Sequence, residues 1–554
     1  MLQKALAVLL CAVLCLSPLG ALSALAEEPA VHCDCGYTPI VYIVGRSTIF
    51  KTTDDDSDAN KAEGNLSGGT GSVAEAVAHV VPLLTLGLTT NIWGPYCDAR
   101  FDEISPVYDQ YALNDDGELD NESGPRVSQQ PETLIAAVRT NGRDFHIRNR
   151  GVINAYEFRY DMRLDPRVVA EQFNEYIEAV REVTGHDKVN IVARCEGTVI
   201  TNAYFHLHGY DAVERVILYN SISSGAEIAD DMFSSRTAVN VDAINVFFNQ
   251  YLDSTPVMDF IKAAVNAAAY NGSLKLGMDA VKYIYDKIAP DLMPRLIRAI
   301  FGTCPGWWSM ISPEKVEECK AFVLEGNPDG RFDKLIEKID GYNEMKKDNR
   351  GMLERMTADG VMVYVFAKYG NRMYPVVESA DNLGDEVASL YRQTYCGATT
   401  SDFSGTLSED YIAAREAEGF GRFISADKKV DASTAFVPEH TWIYKELPHK
   451  IYPIIVHTQM MKILRYDGYA TVDTFEDIPQ FQLCRGANHN NDKSHLCTAE
   501  PLTAENAGVT TNTADTSSFL KVVRRLLDTL KTLLKTWLSD TAVSLREKTA
   551  KTGG

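Results

Sequence analysis

The residues most able to do chemistry lie between 189 and 198, in the run Val-Asn-Ile-Val-Ala-Arg-Cys-Glu-Gly-Thr. Residues 188–193 have the character of a short buried strand, and 198–208 read as a helix, so Cys195 falls on the turn between them. Ala193 and Gly197 flank it with small side chains, which lets strand and helix approach closely. The start of a helix carries partial positive charge from its unpaired N–H groups. That field lowers a thiol's pKa and favours the nucleophilic thiolate. The competing reading is a small, buried, inert thiol, a common fate of free cysteine.

A nucleophile on such a turn needs a sheet beneath it. Residues 39–45, Pro-Ile-Val-Tyr-Ile-Val-Gly, read as a buried strand running into a tight loop. Residues 152–161 read as another strand. Asp165-Pro166 then opens a helix whose apolar positions Val169, Phe173, Tyr176, Ile177 and Val180 recur at helical spacing, and Gly185 ends it. A strand at 215–219 follows the helix at 198–208. Strands alternating with helices predict an α/β protein with a parallel sheet and crossover helices. Residues 228–350 are mostly helical and include Pro305-Gly306-Trp307-Trp308. Strand character returns at 361–366 and 441–444. The expected organisation is a core in two parts, 27–227 and 351–497, interrupted by a helical cap at 228–350.

The chain has 554 residues, 45% of them hydrophobic and 23% charged, which are globular proportions. Lys4, the apolar run 5–16 and Ala24-Leu25-Ala26 have the form of a secretory signal peptide covering residues 1–26, so the mature chain is expected to be secreted, either diffusing away or staying at the cell surface. A formal charge of −22 argues against nucleic acid as a partner, since phosphate binding needs a basic face. Of eleven cysteines, Cys11 and Cys15 fall in the leader. The remaining nine are an odd number, so at least one thiol is left outside intramolecular pairs. Local bridges are expected for Cys304 with Cys319 and for Cys484 with Cys497. No cysteine or histidine group has a structural-zinc spacing. Residues 498–518 read as a linker. Residues 519–554 begin with an amphipathic helix, its stripe of Leu520, Val523, Leu527, Leu530, Leu534 and Trp537 set against Lys521, Arg524, Arg525, Lys531 and Lys535. Such a helix suits either docking on the acidic body of the protein or contact with a membrane surface.

The chain resembles the lipase-like α/β-hydrolases, and particularly the lecithin:cholesterol acyltransferase-like group. The resemblance spans roughly residues 38–460 and rests on four stretches in order: 40–45, Tyr160-Asp161-Met162-Arg163-Leu164-Asp165-Pro166, 189–197, and 425–449. It implies an α/β-hydrolase fold with an inserted helical cap and a Cys-His-Asp triad in the chain order nucleophile, acid, histidine. The acid maps to Asp427, with Asp431 as runner-up. His449, just past the strand at 441–447, maps to the base, ahead of His440 and His457. Backbone N–H groups of Arg46 and Glu196 would hold the oxyanion, and Trp307 and Trp308 would line an acyl-chain site. No metal or organic cofactor is implied. Two departures stand out: Ala193 replaces the first glycine of the turn, and Cys195 replaces the usual serine. The expectation is a secreted acyl hydrolase or O-acyltransferase acting on lipid or other ester or thioester substrates. The alternative is an inactive descendant that binds lipid or another ligand.

Overall fold

The fold was obtained as a computed structural model, which describes residues 36–45, 50–51, 83, 86–108, 112–119, 126–127, 131–141, 155–234, 236, 273–373, 377–487 and 493–508. The expected leader, the helix at 519–538 and Arg46 lie outside these residues.

Eight strands form the central sheet. In chain order they are β1 (Ile40–Val44), β2 (Ala155–Phe158), β3 (Val189–Arg194), β4 (Val213–Tyr219), β5 (Met362–Tyr369), β6 (Thr441–Lys445), β7 (Phe481–Arg485) and β8 (Thr498–Pro501). Across the sheet they run β8-β7-β6-β5-β4-β3-β1-β2. Every pairing is parallel except β7 with β8. The inner strands are buried almost throughout, as expected of a parallel sheet covered on both faces by helices. The protein is thus an α/β fold with a mostly parallel sheet. Edge strand β8 corrects the expectation of a linker from residue 498. Its Pro501 is tolerated because only one side of an edge strand has a partner.

Two helices flank the turn at Cys195. Helix α1 (Pro166–Thr184) starts where the Asp165 carboxylate accepts from the Arg167 N–H at 2.9 Å, and ends at Gly185 with φ +68°. Its face of Val169, Phe173, Tyr176, Ile177 and Val180 packs on the sheet. Helix α2 (Gly197–His208) packs against α1 and β1. A Cβ on Gly197 would lie 2.2 Å from the carbonyl oxygen of Ile43, so only glycine permits this approach.

Between β4 and β5 the described residues are mostly helical, including Glu227–Phe233, Ser273–Ile297, Val316–Val323, Asp333–Lys347 and Asn349–Ala358. Here Trp308 departs from expectation. It is buried in the main hydrophobic cluster, its ring edge meets Phe233, and its indole N–H donates to the Gly302 carbonyl at 2.8 Å. Trp307 is half-buried and packs on Phe301, their ring centroids 4.4 Å apart. Cys304 with Cys319 and Cys484 with Cys497, each expected as a bridge, are buried thiols instead. Cys304 lies near Arg163 and Asp161, and Cys319 near Asp230 and Glu318.

If Trp308 is a core residue, Trp308→Ala should lower the stability of the full chain by about 3–5 kcal/mol, read from the urea midpoint. A change of substrate range at unchanged stability would restore the acyl-site assignment.

Candidate active site

Cys195 follows β3 directly and adopts φ +53°. That left-handed backbone costs a non-glycine residue on the order of 1 kcal/mol or more. The N–H of Cys195 donates to the Tyr219 carbonyl at 3.1 Å, while its own carbonyl accepts from the Thr198 hydroxyl at 2.6 Å. β1 supports the other side. The Gly45 N–H donates to the Arg194 carbonyl at 2.9 Å. A Cβ on Gly45 would stand 2.6 Å from the Glu196 nitrogen and 3.1 Å from the Cys195 sulfur. Only glycine lets β1 approach both this closely.

His449 reaches Cys195 from the loop after β6. Its Nε2 is 3.0 Å from the Cys195 sulfur, and its Nδ1 is 2.7 Å from Asp385 Oδ2. Asp385 is fully buried, and its other oxygen accepts from the N–H groups of Val387 and Ala388 at 3.3 and 3.1 Å. A second tie holds the pair, since the His449 N–H donates to the Asp385 carbonyl at 3.0 Å. The Asn220 amide nitrogen lies 3.1 and 3.0 Å from the two ring nitrogens of His449. Asn220 itself sits at φ +39°, a backbone that asparagine accepts more readily than most residues.

The partner of His449 is Asp385, which corrects the assignment of Asp427. Asp427 has a buried carboxylate, but that group is consumed by Lys445 at 3.0 Å, the Tyr369 hydroxyl at 2.9 Å and the Ser425 hydroxyl at 2.6 Å. Asp431, the runner-up, binds Arg415, the Tyr411 hydroxyl and Ser433. His440 stacks on Tyr469 and bonds the Ala470 carbonyl, and His457 bonds the Tyr42 hydroxyl. Neither touches the thiol. Glu196 stands where expected, at the start of α2, with its N–H turned to the Cys195 sulfur.

Charge organises the cluster. Burial pushes the Cys195 thiol up, but the His449 charge and hydrogen bond, Arg194 and the Glu196 N–H together bring it below its ordinary value. Burial pushes His449 down, yet the Asp385 and Cys195 charges and their hydrogen bonds raise it to about 9. Both shifts run toward a charged thiolate and imidazolium, with Asp385 behind the ring. Two cations brace the loop that carries the imidazole. Fully buried Lys368 donates to the carbonyls of Pro448, His449 and Ile451 at 3.1, 3.0 and 2.9 Å, and lies over the Tyr219 ring. Arg194 donates to the Lys450 carbonyl at 2.6 Å. Burial brings the Lys368 ammonium down to about 7.

Among the described residues no group of histidine, cysteine and carboxylate side chains is placed to hold a metal. A cleft of about 400 Å³ lined by Lys188, Tyr210, Asp211, Asp359 and Val361 opens at the other, amino-terminal end of the strands, away from Cys195. No helix of the described residues is long and apolar enough to cross a membrane.

Asp385→Asn should slow iodoacetamide alkylation of Cys195 near neutral pH by about tenfold or more, since each pKa unit of thiolate stabilisation lost is tenfold. Asp427→Asn should leave that rate unchanged while lowering stability. The reverse pattern, read by peptide mass spectrometry, would return the acid to Asp427.

No family model matches the chain, and no curated protein matches its sequence. Among solved structures, the chain is similar to one from the crystal structure of the Tle4-Tli4 complex. Identity is 11%, coverage is 60% of this chain and 75% of that one, and the TM-score is 0.26.

Proposed function

We propose that the chain is an α/β-hydrolase-type acyl hydrolase or acyltransferase, exported from the cell, using Cys195, His449 and Asp385 on ester or thioester substrates. The observation that carries this reading is the continuous contact from the Cys195 sulfur through the His449 ring to the Asp385 carboxylate, at 3.0 and 2.7 Å. The order of strands supports it. The nucleophile follows β3, the acid follows β5 and the histidine follows β6, in the chain order of that enzyme type.

The reaction runs in two halves. The Cys195 thiolate attacks the carbonyl carbon, and the negative charge moves to the carbonyl oxygen, toward the Glu196 N–H and the space beside Gly45. The intermediate collapses, and the His449 imidazolium gives its Nε2 proton to the departing alkoxide or thiolate. A thioester acyl-enzyme remains. Water or an acceptor alcohol then loses its proton to His449 and attacks the thioester, restoring Cys195. Asp385 keeps the ring in the tautomer whose Nε2 faces sulfur. Lipids are the substrate class favoured by the sequence resemblance. Surface contact through the amphipathic stretch at 519–538 belongs to the same proposal.

The pH dependence follows from the direction of each shift. Cys195 is lowered, so its thiolate persists as pH falls through the ordinary thiol range. His449 is raised to about 9, so its proton remains available for the leaving group until that pH is passed. Alkylation of Cys195 should therefore set in at lower pH than for an ordinary thiol. Acyl transfer should decline above about pH 9. In His449→Ala the alkylation profile should move to alkaline pH, because burial alone raises the thiol. A Cys195 that labels only after unfolding would favour a ligand-binding protein without catalysis.

Gly45→Ala tests the oxyanion position. It should lower turnover of activated esters by about 100-fold, the scale of losing one oxyanion donor, while Cys195 still reacts with iodoacetamide. Full esterase activity in that variant would place the oxyanion elsewhere.

A further inference from the structure

Asn220 stands where the two halves of the candidate site meet. It directly follows β4, whose neighbours in the sheet are β3, which leads into Cys195, and β5, which leads toward the Asp385 loop. Its N–H donates to the Phe366 carbonyl of β5 at 2.8 Å, and the Tyr219 carbonyl just before it accepts from the Cys195 N–H at 3.1 Å. The residue is fully buried, has φ +39° and leaves its side-chain oxygen without a hydrogen-bond partner. A left-handed backbone and an unpaired buried acceptor both work against folding. What the side chain gains in return is contact with His449.

The geometry of that contact is specific. The Asn220 amide nitrogen is 3.1 Å from Nδ1 and 3.0 Å from Nε2 of the ring. These two nitrogens flank Cε1, so an atom this near to both would collide with the ring if it lay in the ring plane. It therefore stands over the ring face. The in-plane directions stay with Asp385 Oδ2 at Nδ1 and the Cys195 sulfur at Nε2. Those partners hold the imidazole only by its edge, while Lys368 and Arg194 hold only the backbone of its loop. The ring can still turn about the bond to its Cβ, and in either sense one of its nitrogens would rise into the amide. We propose that Asn220 is a positioning residue for the reaction, its carboxamide lying on the face of His449 and barring the rotation that would carry Nε2 off the sulfur. The inference rests on Cys195 and His449 being the reacting pair.

Asn220→Gly is the informative variant, since glycine accepts the left-handed backbone and keeps the N–H that Phe366 receives. In the folded full chain it should slow iodoacetamide alkylation of Cys195 near neutral pH by about tenfold, the effect of one pKa unit of lost thiolate stabilisation. Added to His449→Ala it should change the rate by less than about twofold, because a residue that acts through the imidazole has nothing left to act on. An equal slowing in both backgrounds, or a lowered urea midpoint with alkylation unchanged, would overturn the role. If His449→Ala alone leaves the rate unchanged, the triad reading falls and the role of Asn220 with it. If His449→Ala slows alkylation and Asn220→Gly does not, only the role of Asn220 falls. A second measurement uses the wild-type chain. The Asn220 side-chain amide protons, assigned by their through-space contacts to the His449 ring, should resonate upfield of ordinary asparagine amides, because an aromatic ring shields protons over its face. A downfield position would put them at the ring edge and overturn the stacking.

Discussion

The imidazole of His449, its hold on a proton raised by its neighbours, is buried between the Cys195 sulfur and the Asp385 carboxylate, and much of the surrounding structure keeps it there. A buried charge without partners costs several kcal/mol, and breaking one side of a buried pair costs about 3–5 kcal/mol. Here the charge has the Cys195 sulfur on one side and Asp385 on the other. Asp385 in turn is held by two backbone N–H groups. The loop would be free to turn the ring away were its carbonyls not gathered by Lys368 and Arg194. A lysine ammonium offers three protons, and Lys368 finds three carbonyl acceptors, which offset part of the burial that brings it down to about 7.

The second constraint is steric. Cys195 can stand in a left-handed turn above the sheet only because β1 and α2 close around it without side chains in the way. Gly45 and Gly197 mark those approaches, one beside the sulfur and one against the Ile43 carbonyl. Their roles differ. Gly197 lets the helix pack, whereas Gly45 lets β1 pass close against the Glu196 nitrogen and the Cys195 sulfur.

How much of this the sequence disclosed depended on distance along the chain. The turn at Cys195 is local: strand, small residue, thiol, small residue and helix occupy one short run, and periodicity reveals it. His449 was legible because it directly follows a strand with a strong apolar signal. Asp385 was hidden because its loop after β5 has no periodicity of its own, only isolated bridges and backbone hydrogen bonds. The signal that marks it is Gly384-Asp385-Glu386-Val387, a turn whose N–H groups cap the carboxylate, with Glu386 at φ +93°. Asp427 drew attention because it also sits in a tight turn with its carboxylate buried. Its use is revealed only by Lys445 and Tyr369, which are distant in sequence from each other. Trp308 misled for a related reason, since a tryptophan in a helical insertion serves a ligand wall or a core equally well until its neighbours are known.

The separation between thiol and base has a consequence for the history of each molecule. His449 lies 254 residues beyond Cys195. A chain emerging amino-terminus first completes β3 and the turn long before its imidazole has been made. Until then Cys195 is an ordinary thiol, almost wholly protonated in acid and only slightly ionised near neutrality. Its reactivity switches on when β5 and β6 dock and bring Asp385 and His449 over the sheet. Sensitivity to electrophiles thus depends on the carboxy-terminal strands being in place, and a thiol-specific reagent added during refolding would report their arrival.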